Sequence, residues 1–236
     1  MISHKHKCIF IHISKCAGSS VETAFGIDIM DNTEKNNVNL FGWNQEHKLF
    51  LQHATPQQLL NYNFIDRNTW DSYYKFIIVR NPWDRAFSDY TWLCREQKIQ
   101  DSFFNFLHKQ EKFKKVLNEK NKSFFRGDHL NSQISYFFLN GEEIKFDKVI
   151  RFENLENELP VLAKRMGLNP SVFNRKVNAL KRKINHYSRF YSEKRKKLIE
   201  KKYPLDIEFL DYYFEDKRRR SDYLRFKFKS SYSFAE

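Results

Sequence analysis

The chain is poor in glycine and proline, with 6 and 5 in 236 residues. That argues against a fold dominated by tight turns and against long flexible linkers. It has three cysteines, Cys8, Cys16 and Cys94, an odd number without metal-type spacing. Neither a disulfide framework nor a zinc site is expected, and a reducing compartment fits. No apolar run approaches the roughly 18 residues needed to span a bilayer. The opening Met-Ile-Ser-His-Lys-His-Lys runs directly into a strand pattern, leaving no room for a secretory signal, so the expectation is a soluble, cytoplasmic protein. Internal repeats and low-complexity segments are also missing. A chain of this length and composition reads as one domain over residues 1–236, with a core over about 7–214 and a basic, aromatic tail over 215–236.

What is abundant is positive charge. Lys and Arg number 42 against 29 Asp and Glu, a net charge of +13, which implies an anionic partner such as a nucleotide, an acidic glycan, a nucleic acid or an anionic lipid. Hydrophobic residues make up 41%, including 24 Phe and 12 Tyr, enough for an aromatic core.

The most informative stretch is Cys8-Ile-Phe-Ile-His-Ile-Ser-Lys-Cys-Ala-Gly-Ser-Ser-Val-Glu22. It reads as a buried strand, a tight polar loop and a helix start that Gly26 can close. Such a loop aims backbone N–H groups at one point, and Lys15, Ser19 and Ser20 add a charge and two hydroxyl donors, which suits phosphate or sulfate. The plainer alternative is a capped helix with Lys15 solvated. A Walker A loop is excluded because its lysine follows the second glycine, whereas Lys15 precedes Gly18.

Residues 73–79 form a second buried strand pattern, followed by Arg80-Asn-Pro-Trp-Asp-Arg-Ala-Phe-Ser-Asp-Tyr90. Pro82 is set to start a helix with Ala86, Tyr90 and Leu93 on one face, Arg80 at the strand's carboxyl end and Ser88 two turns into the helix. Residues 146–152 form a third strand pattern, with a helix over 155–166 ended near Gly167. Three strand–helix alternations predict an α/β fold, a central parallel sheet flanked by helices on both faces, with a helical, basic C-terminal part. Between these landmarks, residues 31–44 read as a loop, and Thr55-Pro56 as an N-cap and first helical position with His53 just ahead. Residues 101–122 read as one or two helices, 126–139 as a loop and a helix, and 192–203 and 205–214 as helices. Trp83, Phe87 and Tyr90 read as core, and Asp84 with Arg85 as a local ion pair or helix-start contact.

The phrases Phe10-Ile-His-Ile-Ser-Lys-Cys-Ala-Gly-Ser-Ser20 and Val79-Arg-Asn-Pro-Trp-Asp-Arg-Ala-Phe-Ser-Asp-Tyr90 resemble the 5′-phosphosulfate and 3′-phosphate loops of sulfotransferases that use 3′-phosphoadenosine 5′-phosphosulfate (PAPS). Val149-Ile-Arg-Phe-Glu-Asn-Leu155 and Tyr203-Pro-Leu-Asp-Ile-Glu-Phe-Leu-Asp-Tyr-Tyr-Phe214 are similar to the carbohydrate branch, which includes heparan 2-O-sulfotransferases and bacterial relatives; this implies a P-loop-NTPase-like sulfotransferase fold. The resemblance implies that Lys15 meets the 5′-phosphosulfate and stabilises the leaving phosphate. Cys16, Ala17, Gly18, Ser19 and Ser20 would cradle that group, and Arg80 and Ser88 would bind the 3′-phosphate. Where the family reads Pro-Lys-Thr, this chain has Ser14-Lys15-Cys16 and so loses a fixed φ and a hydroxyl donor.

His53 is the first candidate for the base that accepts the acceptor's proton; a helix-flanking histidine bonded to backbone is the alternative. His129 is the second candidate, or an acceptor ligand with Arg126 and Gln133. Glu22 and Glu46 are weaker bases, and His12 reads as structural. The basic, aromatic residues 182–189, with Tyr187 as a nucleotide contact, suggest a lid over the nucleotide or a groove for an acidic glycan. The tail, with Lys217 to Arg220, Arg225, Lys227 and Lys229 among aromatics, offers contact with an anionic membrane.

PAPS is therefore the expected co-substrate, without a metal, and the expected acceptor is an anionic carbohydrate. A kinase or other NTPase is disfavoured because the later strands end in Val79-Arg80 and Ile150-Arg151 rather than in an acidic Mg²⁺ ligand. A nucleic-acid or polyanion-binding module would explain the charge but not the paired loops.

Overall fold

The computed structural model describes residues 1–27, 38–122, 124–173 and 184–223. In chain order its strands and helices are β1 (Ile2–Ser3), β2 (Cys8–Ile11), α1 (Gly18–Ala24), β3 (Trp43–Asn44), β4 (Leu49–Phe50), α2 (Pro56–Asn61), α3 (Arg67–Ser72), β5 (Tyr74–Val79) and α4 (Pro82–Glu96). There follow α5 (Phe103–His108), α6 (Lys114–Asn118), β6 (Phe138–Leu139), β7 (Glu142–Glu143), β8 (Lys148–Arg151), α7 (Leu155–Arg165), α8 (Glu193–Lys202) and α9 (Pro204–Phe209). The chain forms two compact units: Met1–Arg80 with Gln133–Leu180, and Asn81–Ser132 with Lys181–Glu236.

The first unit holds a four-stranded sheet in the order β1-β2-β5-β8, accompanied by α1, α2, α3 and α7. β2, β5 and β8 are parallel, as the strand–helix alternation implies. β1 adds an antiparallel edge through Ile2 opposite Ile9, which makes the sheet mixed. Ile9, Phe10, Ile11, Phe76, Ile77 and Ile78 are all buried, and Phe10 stacks on Phe76 at 5.0 Å. β-branched and aromatic residues fit this pleated, covered surface.

Local signals set the helix ends. Thr55 caps α2 by accepting the Gln58 N–H while the Gln58 side chain accepts the Thr55 N–H, a reciprocal capping box behind Pro56. Gly167 follows α7 with φ 69°, a conformation glycine adopts without steric cost.

The second unit is helical, and α4 is its spine. Asn81 caps α4 by accepting the N–H groups of Trp83 and Asp84, with Pro82 next in line. Trp83, Phe87, Tyr90 and Leu93 recur on one face of α4 and pack with Phe103, Phe106, Phe113, Tyr187, Phe190, Tyr191 and Tyr203. The Tyr191 hydroxyl donates to the Trp83 carbonyl at 2.7 Å, and that of Tyr90 to Asp101 at 2.6 Å, so the aromatic core leaves these polar tips satisfied.

Two expectations change. Residues 126–139 form no α-helix but two 3-10 turns, Gly127–Leu130 and Gln133–Tyr136, separated by an extended Asn131 (ψ 141°). Asp, Asn and Ser disfavour helix interiors, and the carbonyls of His129 and Asn131 accept from the Arg85 guanidinium. The helix expected over 205–214 ends at Phe209, and Asp211 turns left-handed (φ 50°). Residues 101–122 hold two helices, α5 and α6, within the one or two expected, and a left-handed Lys109 closes α5. Parts of the loop over 31–44, of the basic segment over 182–189 and of the tail, including Arg225, Lys227 and Lys229, lie outside the described residues. Among those described, no helix is long and apolar enough to cross a membrane.

Candidate active site

β2 ends at Ile11, and the chain passes through His12, Ile13 and Ser14 into the loop that precedes α1. Lys15 (φ 65°) and Ala17 (φ 63°) are both left-handed, which costs a non-glycine residue about 1–2 kcal/mol each. Alternating left- and right-handed residues turn successive N–H groups inward, the arrangement that cradles anions. The N–H groups of Ala17, Gly18 and Ser19 have no acceptor among the described residues, whereas Ser20 and Val21 already donate to the Ala17 carbonyl. Lys15, Ser19 and Ser20 are partly exposed, and Cys16 and Gly18 are buried. The donor set, three N–H groups, two hydroxyls and an ammonium, fits a phosphate or sulfate oxygen cluster.

Gly18 is required by close approach. A Cβ there would lie 1.8 Å from Nε2 of His12. His12, read as structural, is 6% exposed, and its Nδ1 lies 2.9 Å from Oε1 of Glu22, itself 1% exposed. Burial works to raise the Glu22 carboxyl's pKa, but the charge and hydrogen bond of His12, together with the amino terminus and His53, more than offset it, and the pKa ends below its ordinary value. Glu22 is therefore held as a buried carboxylate partnered by an imidazole. Glu46 is largely exposed, 3.9 Å from His47.

His53 closes a 3-10 turn, Leu51–His53, just ahead of the capped α2. Its ring meets the His12 ring edge-on at 4.7 Å, and its carbonyl accepts the Tyr136 hydroxyl at 3.1 Å. The first unit thus brings His53, His12 and the Lys15 loop together, a grouping that the spacing in the chain does not reveal.

Arg80 is the residue after β5. Its side chain points back to the loop: Nη1 donates to the Lys15 carbonyl at 2.7 Å, and the guanidinium lies over the Phe152 ring at 3.8 Å. Gln133, expected among the acceptor ligands, is fully buried. Its Oε1 accepts the Arg80 N–H at 3.0 Å and its Nε2 donates to the Arg80 carbonyl at 2.8 Å.

The remaining candidates belong to the second unit. Ser88 lies on α4, half-buried, where its carbonyl accepts the Thr91 hydroxyl at 3.3 Å. Tyr187 is a buried core residue whose hydroxyl accepts the Glu215 N–H at 2.8 Å, and burial raises its pKa. His129 donates from Nδ1 to Oδ1 of Asp89 at 2.7 Å, with the Trp92 ring stacked at 5.2 Å. Oδ2 of Asp89 is buried and has no hydrogen-bond partner among the described residues. Arg126 lies over Trp92 at 5.8 Å, and burial lowers its pKa. Arg85 donates to the carbonyls of His129 and Asn131.

Asp89 is the residue sequence reasoning missed. A carboxylate four positions after Arg85 on the core face of a helix signals a buried polar partner, and the bond to Nδ1 leaves Nε2 as the second nitrogen of a His129 fixed in orientation.

No curated protein and no solved structure matches the chain. The profile of the sulfotransferase family matches residues 1–216, nearly the whole length and both loops with their strand–helix settings. The chain belongs to the sulfotransferase family, enzymes that transfer a sulfuryl group.

Proposed function

We propose that this sulfotransferase moves the sulfuryl group from PAPS to a hydroxyl of a carbohydrate, an anionic glycan in the first instance given the charge of +13. The observation that carries this reading is the loop of residues 15–20, whose N–H groups at Ala17, Gly18 and Ser19 lack acceptors among the described residues while Arg80 is tied to its Lys15 carbonyl. Bound, the nucleotide supplies the sulfuryl group and departs as 3′,5′-bisphosphoadenosine.

Lys15 would supply its ammonium to the 5′ group as negative charge develops on leaving, and residues 16–20 would hold that group by N–H and hydroxyl donation. Such charge stabilisation is worth most in the transition state, because the donors are already oriented. Arg80 takes the 3′-phosphate, as the resemblance of its segment implies; Tyr187, expected as a nucleotide contact, is instead a buried core residue of the second unit and is not assigned to the nucleotide. His53 accepts the acceptor's hydroxyl proton as that oxygen bonds to sulfur.

Thermal unfolding of wild type and Arg80→Ala, with 3′,5′-bisphosphoadenosine, with ATP and Mg²⁺, or with neither, tests the reading. A ligand at 100 times its Kd stabilises by roughly 2.7 kcal/mol. Stabilisation by the bisphosphate alone, lost in Arg80→Ala, is expected. A larger Mg²⁺-dependent shift with ATP would replace this proposal with a kinase.

A further inference from the structure

Gln133 opens the 3-10 turn Gln133–Tyr136, and its side chain is wholly buried. Its amide faces the main chain of Arg80 as a neighbouring strand would, accepting from N–H and donating to C=O just where β5 has ended. The same Oε1 lies 3.9 Å from Sγ of Cys16, whose thiol donates to it. Arg80 closes the circuit by donating from Nη1 to the Lys15 carbonyl at 2.7 Å. One side chain is therefore bonded both to the loop of residues 15–20 and to the strand-end cation, all within the first unit.

A ligand with an anion at each end gains from two cationic sites only when their separation matches its own span. The second contact is then intramolecular, and its strength depends on how well the two sites are held in register. A buried amide with two direct bonds to one site and a thiol contact to the other holds that register. We propose that Gln133 is a positioning residue that fixes Arg80 relative to the Lys15 loop and thereby selects a nucleotide carrying phosphate at both its 5′ and 3′ positions. This rests on the donor reading above. Cys16 takes part as the loop's donor to Gln133, so the thiol that replaces the family's hydroxyl retains a structural use.

The test is equilibrium binding of three probes, 3′,5′-bisphosphoadenosine, adenosine 5′-monophosphate and adenosine 3′-monophosphate, to wild type, Gln133→Met and Gln133→Asn. Met keeps the volume without the hydrogen bonds; Asn keeps the amide one methylene short. Both variants are expected to lose roughly tenfold or more in affinity for the bisphosphate while each monophosphate changes by less than about threefold, since only the doubly anchored ligand depends on register. Equal weakening of all three probes, or an unchanged bisphosphate affinity, overturns the positioning role. Should Gln133→Met fail to fold, Gln133→Asn decides alone. A wild type that does not prefer the bisphosphate sinks the donor reading itself, and this inference with it.

Discussion

The imidazole Nδ1 of His12 and the carboxylate Oε1 of Glu22 lie 2.9 Å apart, both residues buried, directly beneath the loop that carries Lys15. Because the folded Glu22 carboxyl has a pKa below its ordinary 4.5, it contributes stability that is present above that pH and lost as pH falls through the folded value. Glu22→Gln is expected to lower Tm at neutral pH, and its deficit against wild type should shrink as pH falls from about 5 to about 3. Melting curves across that range check this; parallel curves would remove the ionised carboxylate from the account.

Gly18→Ala should destabilise by about 1–3 kcal/mol through overpacking, since the added Cβ meets the His12 ring at 1.8 Å and that ring is held by Glu22. Denaturant titration measures the loss. A neutral result would mean that the ring swings aside.

Lys15→Ala is expected to weaken bisphosphate binding and nearly abolish turnover, because the ammonium is used most as the leaving phosphate develops charge. His53→Ala should bind the nucleotide as wild type does and lose transfer by about 10²–10⁴-fold. Calorimetry together with single-turnover rates separates the two effects. An unchanged rate in His53→Ala would move the base to His129, already oriented by Asp89.

Phe190→Ala should cost about 3–5 kcal/mol. Its ring packs against Phe87 at 4.8 Å, Phe103 at 5.1 Å and Tyr191 at 5.2 Å in the core of the second unit. A Tm shift of only a degree or two would show that this cluster collapses around the gap.

How much was legible in the sequence depended on how local the cause is. The strands at Cys8–Ile11 and Tyr74–Val79, the starts of α2 and α4 at proline and the glycine after α7 follow from periodicity, fixed φ and positive φ, all read within a few residues. The antiparallel edge Ile2–Ser3 did not, because two residues carry no period and are held by pairing to β2. The pairing of His12 with Glu22 and of Gln133 with Arg80 joins residues ten and fifty-three positions apart. Residue types suggested that these side chains mattered, but only the fold assigned their partners. Residues 126–139 form turns in place of the expected helix, and their partners, Arg85 on the His129 and Asn131 carbonyls and the Arg80 main chain on the Gln133 amide, are supplied only by the fold.

The contact between Gly18 and His12 also bears on how this loop can change over generations. An alanine at 18 requires a smaller residue at 12, and a smaller residue at 12 strands the Glu22 carboxylate in the interior. Positions 12, 18 and 22 therefore form one heritable unit. A descendant that alters any one of them is expected to carry matching changes at the other two, and the three should covary even though only the glycine belongs to the loop motif.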